Sequence, residues 1–103
     1  MKWYSRLYTS GSVTGVEKII MRELERKEDT EGYYLITLPS NGIGLLEIMA
    51  SEKSGAGKHG KKELFVVGLA GTKEEAQELA GQIVADVYAK TGAFDTASFF
   101  GGE

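Results

Sequence analysis

The chain has 103 residues, 42% of them hydrophobic, and a formal net charge of -3, which suits one small domain with a single core. It holds no cysteine, and this excludes disulfides, thiolate nucleophiles and cysteine-ligated zinc or iron–sulfur centres. The mild acidity supplies no global field toward nucleic acid or anionic lipid. Met1-Lys2-Trp3-Tyr4-Ser5-Arg6 lacks the apolar core of a signal peptide, and no run approaches the ~18 apolar residues of a membrane span, so a cytoplasmic protein is expected.

Lys2 to Thr9 carries Trp, two Tyr and Leu, and reads as a first strand with Trp3 and Leu7 on one face and Tyr4, Arg6 and Tyr8 on the other. Ser10-Gly11-Ser12 breaks it. Thr14-Gly15-Val16-Glu17 has the form of a capping box, so a helix is expected from about Gly15, with Val16, Ile19, Ile20 and Leu24 forming its apolar stripe. That helix should stop before the acidic, glycine-ended stretch Glu28 to Gly32.

Tyr33 to Leu38 reads as a second strand, and Pro39-Ser40-Asn41-Gly42 as a turn, because proline presets φ and Asn-Gly readily takes positive φ. Ile43 to Ala50 is ambiguous, since Leu46 and Ile48 alternate as in a strand while Leu45, Ile48 and Met49 have helical spacing. The preceding turn favours a strand. Ser54 to Lys62 offers no large apolar residue to offset its ordering entropy, so a mobile surface loop is expected there.

Leu64-Phe65-Val66-Val67-Gly68-Leu69-Ala70 is an unbroken apolar run, the pattern of a strand buried on both faces. Thr72-Lys73-Glu74-Glu75 repeats the capping-box pattern ahead of a long helix with Ala76, Leu79, Ala80, Ile83, Val84, Val87 and Tyr88 on its apolar stripe and Gly92 as its C-terminal cap. Phe94 to Phe100 is expected as a short edge strand or a tail docked by its phenylalanines, with 101–103 frayed.

The expected fold is therefore α+β: a two-layer α/β sandwich over 1–103, with a mixed sheet of order β-α-β-β-β-α and both helices on one face. The β-α-β crossover should be right-handed. A helical Ile43 to Ala50 would give instead a three-stranded parallel β-α-β-α-β-α unit.

Sites are harder to read. Gly55 to Lys61 matches the first seven positions of a phosphate-binding P-loop, but Lys62 stands where Ser or Thr must hold magnesium, and no helix follows. His59 is the only histidine and has no carboxylate beside it in sequence. Glu74, Glu75 and Glu78 lie where acids complement a helix dipole. These features point to no catalytic residue, metal site or cofactor, and an enzyme is not expected.

Two binding surfaces remain. Gly68, Gly71 and Thr72 sit at a strand end leading into a helix start, where N–H groups and the helix dipole would hold a small anion. Tyr4, Arg6 and Tyr8, with Tyr34, would form an interface if helices cover only the other sheet face, and a second copy of the chain is the simplest protein partner. The same stripe would stack nucleobases, with Lys58, Lys61 and Lys62 assisting, but the acidic charge disfavours that reading.

Val66-Val67-Gly68-Leu69-Ala70 with Glu74-Glu75-Ala76, Asp86-Val87-Tyr88, Thr91-Gly92 and Phe94-Asp95 resembles short uncharacterised bacterial proteins. The resemblance covers the last strand-helix unit. It implies a small bacterial domain and brings no activity, cofactor or site residue with it.

Overall fold

The computed structural model describes residues 2–26, 31–39, 44–53 and 64–101. The elements run β1 (Lys2–Thr9), α1 (Glu17–Arg26), β2 (Tyr34–Thr37), β3 (Glu47–Ala50), a 3-10 turn (Ser51–Lys53), β4 (Phe65–Ala70), α2 (Lys73–Thr91) and α3 (Thr96–Gly101). The four strands form one mixed sheet of order β1-β4-β2-β3, so the α+β class and the β-α-β-β-β-α order stand. The partial P-loop match, His59, the lysines of the Ser54 to Lys62 loop, the turn residues after Pro39 and 102–103 all lie outside the described residues.

β2 pairs antiparallel with β3, Leu35 opposite Met49 and Ile36 opposite Ile48, so Glu47–Ala50 is a strand and the all-parallel alternative does not hold. β4 lies between β2, antiparallel to it, and β1, parallel to it. β1 and β2 are therefore antiparallel to one another and not neighbours. The handedness rule for parallel crossovers does not apply to the β1-α1-β2 connection.

The layering differs from the expected two-layer sandwich. Ile20 and Leu24 of α1 pack with Val13, Leu35, Val66 and Leu69, whereas Ala76, Leu79, Ile83 and Val87 of α2 pack with Ile36, Val67, Ala70 and Phe100. Neighbouring residues of one strand point to opposite faces, so α1 covers one face of the sheet and α2 the other. Burial of β4 requires this, because Val66, Val67, Leu69 and Ala70 are all fully buried and a single helical layer would leave half of them in water. A bulge adjusts the alternation: Ile36 pairs with Gly68 but Thr37 with Val66, leaving Val67 as the extra residue.

Gly68 is needed at that bulge for space. A Cβ there would lie 3.0 Å from Ile36 Cδ1 and 3.3 Å from Ile83 Cδ1, where strand and helix close on each other.

The caps of α2 form as its sequence implies. Thr72 accepts a 3.1 Å bond from Glu75 N–H at one end, and Gly92 closes the other at φ 76°, its N–H bonding Tyr88 O. The first helix departs from expectation. Thr14 Oγ1 donates to Ser10 O instead of capping, Gly15 takes φ 98°, and α1 begins at Glu17. The buried stripe becomes Val13, Ile20 and Leu24, and Val16 and Ile19 are turned out, 45% and 61% exposed. The C-terminal segment is a short helix, not an edge strand. Asp95 caps it by accepting from Ser98 N–H, Thr96 Oγ1 donates to Leu45 O, and Phe100 is fully buried.

Truncating Ile83 to Ala should cost about 2–5 kcal/mol in denaturant unfolding, the range for a buried aliphatic left with a cavity. Ile19→Ser should stay within about 0.5 kcal/mol of the native chain. Similar losses at the two positions would mean that α1 docks by the stripe its spacing suggests.

Candidate binding site

The turn from β4 into α2 brings Gly68, Gly71 and Thr72 close in sequence but gives them separate duties. Gly68 faces the core. Gly71 lies against the Ser10-Gly11-Ser12 turn, where a Cβ would collide with Ser12 Oγ, and its N–H donates to Ser10 Oγ at 3.2 Å. Thr72 is the α2 cap. Glu75, the last residue of the capping box, sends its carboxylate to Ser12, whose hydroxyl donates to Glu75 Oε1 at 2.6 Å.

The hydroxyls of Ser10 and Ser12, and then the Gly71 N–H, hold the Glu75 carboxyl below the usual carboxylate range. The helix start is thus an anion site whose anion belongs to the chain. A cavity of about 230 Å³ beside it is lined by Thr9, Ser10, Gly11, Glu75, Glu78, Leu79 and Gln82, and two glutamates there would repel a second anion. The chain's own carboxylate and this acidic wall argue against small-anion binding at Gly68, Gly71 and Thr72.

The tyrosine stripe is also differently placed. Tyr4, Tyr8 and Tyr34 pack against the α2-side core. Tyr4 meets Phe100 edge-on at 4.7 Å between ring centroids, and Tyr8 OH donates to Asp86 Oδ2 at 2.8 Å. Burial, followed by the Asp86 hydrogen bond and charge, pushes the Tyr8 phenol well above the usual tyrosine range. The face expected to be bare is covered by α2 and α3. Of the four residues of that expected interface, Arg6 alone is exposed.

A second cleft, about 350 Å³, opens between β1 and α1 and is lined by Tyr4, Ser5, Arg6, Leu7, Glu17, Lys18 and Met21. β1 is an edge strand, with β4 its neighbour in the sheet. Its register with β4 runs Trp3 to Val66 and then Tyr8 to Gly68, so five steps of β1 lie beside two of β4 and the strand must bow. The bowed stretch, Tyr4 to Leu7, is the β1 wall of the cleft. Bulges of this kind recur where a strand shapes a site.

The charge in this cleft is unbalanced. Glu17 Oε1 accepts from Gly15 N–H at 2.6 Å, so the one acid of the lining is turned to the loop before its own helix. Arg6 and Lys18 are exposed, and neither forms an ion pair among the described residues. Leu7 and Met21 supply apolar surface. Sequence did not mark Glu17, Lys18 and Met21 as site residues, because spacing within α1 does not say which flank lies along an edge strand. The Ser12–Glu75 bond spans 63 positions and leaves no local signal at all.

Two measurements check these assignments. Glu75 has a depressed folded pKa, so its contribution is complete above the ordinary carboxylate range and fades as pH falls through the lowered value. Glu75→Gln should therefore melt below the native chain at neutral pH, with the gap closing in acid and shrinking in salt; a gap constant across pH would remove the carboxylate from this role. Tyr8→Phe should cost about 0.5–1.5 kcal/mol through loss of the Asp86 bond, and an unchanged unfolding midpoint would show that this bond adds no net stability.

Among the described residues no helix is long and apolar enough to cross a membrane. No protein-family model, curated protein or solved structure matches this chain.

Proposed function

We propose that the chain is a protein-interaction module that receives a short extended segment of a partner protein in the cleft between β1 and α1. One observation carries the reading: the cleft is walled by the bowed stretch of an edge strand on one side and by a helix on the other. Strand–helix grooves at a sheet edge are a recurrent way of holding an extended chain, with backbone groups of the strand beside it and side-chain pockets between strand and helix. The volume and mixed lining, Leu7 and Met21 with charged residues around them, fit side chains of such a segment.

A second copy of the chain is the weaker occupant. Pairing two β1 edges about a two-fold at Tyr4 would set Lys2 of each copy against Arg6 of the other, and like charges brought together across strands oppose association. Two copies of the same bowed edge also meet poorly along their length. Nucleobase stacking on Tyr4 and Tyr8 would compete with the Tyr4 ring's contact to Phe100 and the Tyr8 hydroxyl's bond to Asp86.

Selection of a displayed random eight-residue peptide library against the native chain tests the reading without presupposing charge. Enriched peptides should bind the native chain and lose binding to Met21→Trp, which fills the cleft, while that variant keeps its melting temperature within a few degrees. Peptides that bind Met21→Trp as well as the native chain would place the interaction elsewhere.

A further inference from the structure

We infer that the segment received in the β1–α1 cleft is acidic, carrying an aspartate or glutamate next to an apolar side chain. The inference rests on the cleft being a peptide site and goes beyond it by naming the chemistry of the occupant. Arg6 stands on the bowed strand and Lys18 on the helix, one cation on each wall, and neither is neutralised by an ion pair among the described residues. Glu17 Oε1 accepts from Gly15 N–H and its carboxylate offsets only one of the two cations, so the lining keeps a net positive charge. Leu7 and Met21 lie in the same lining and offer contact to the apolar neighbour of the acid.

The placement is selective because the rest of the molecule has the opposite sign. With a net charge of -3, the surface as a whole repels an acidic segment, and the polar cavity beside α2, with Glu75 and Glu78, repels it locally. An acidic chain segment is therefore favoured at the β1–α1 cleft over that competing site, and a basic segment is favoured at the other. Charge complementarity of this kind acts on orientation, partner choice and association rate more than on raw affinity, and it weakens with salt.

The closing experiment titrates the 15N-labelled full chain with three synthetic eight-residue peptides that share their apolar positions and carry glutamate, glutamine or lysine at the rest. Amide shifts report both position and affinity. The glutamate peptide should move amides of β1 and the first half of α1, bind roughly three- to tenfold tighter than the glutamine peptide at low salt, and lose that margin at high salt, as two exposed ion pairs would require. In Arg6→Glu/Lys18→Glu the order should reverse, with the lysine peptide preferred and the glutamine peptide unchanged.

Equal binding of the glutamate and glutamine peptides at β1 and α1 would overturn the acidic preference while leaving the cleft as a peptide site. Shifts confined to other elements, or none with any peptide, would overturn both. Retention of glutamate preference in the charge-reversed variant, with its amide spectrum still dispersed, would assign the selectivity to other cations.

Discussion

Burial of β4 on both faces is the constraint from which the rest of the structure follows. Val66 and Leu69 meet α1 while Val67 and Ala70 meet α2, so the strand must have a helix on each side and a strand at each edge. β1 and β2 pair with it on either side, the Val67 bulge keeps apolar side chains facing both helical layers, and Gly68 lets Ile36 and Ile83 close over the bulge. A strand so enclosed transmits any change in one layer to the other, since close-packed interiors have little room to absorb it.

Enclosure on both faces also removes the open sheet surface that a two-layer domain would present. Tyr4 and Tyr8, which alternate away from Trp3 and Leu7, are turned toward α2 and α3. Their polar ends and ring edges are engaged by Asp86 and Phe100. With both faces covered, the exposed part of β1 is its edge, where the strand bows and α1 lines the same cleft. The bow itself blunts the edge against indiscriminate pairing, and Arg6 and Lys18 put one cation on each wall of the cleft beside it.

The α2 N-terminus illustrates how a helix start can be supplied with an anion by its own chain. Exposed N–H groups and the helix dipole attract negative charge, and the nearest negative charge is Glu75, three residues into the same turn. In a simple capping box its carboxylate would reach back to the cap residue; here Ser12 takes it and ties the β1–α1 turn to the start of α2. Ser10 completes the junction by accepting from Gly71 N–H.

Local signals in the sequence determined the elements: the span of β1, the Thr72 and Gly92 caps of α2, the core stripe of Ala76, Leu79, Ile83 and Val87, and the doubly apolar run of β4. Each depends on residues within a few positions of one another, and hydrophobic period and cap chemistry are written at that range. The run Leu64 to Ala70 even implied cover on both faces. The single stripe of each helix did not say which face each would take, and tertiary structure assigned α1 and α2 to opposite ones. It also rotated α1 so that Val13 replaced Val16 and Ile19 in the core, because the Ser10 to Val16 turn, and not the helix period alone, sets how the chain enters the helix. The ambiguous Ile43 to Ala50 became a strand through pairing with β2, and Phe94 to Phe100 a helix through burial of Phe100. The candidate site was the least legible part. Arg6 was visible as an exposed cation, but its neighbours Lys18 and Met21 come from another element, and the company they keep is decided by how α1 lies along the edge strand, a relation that only long-range packing creates.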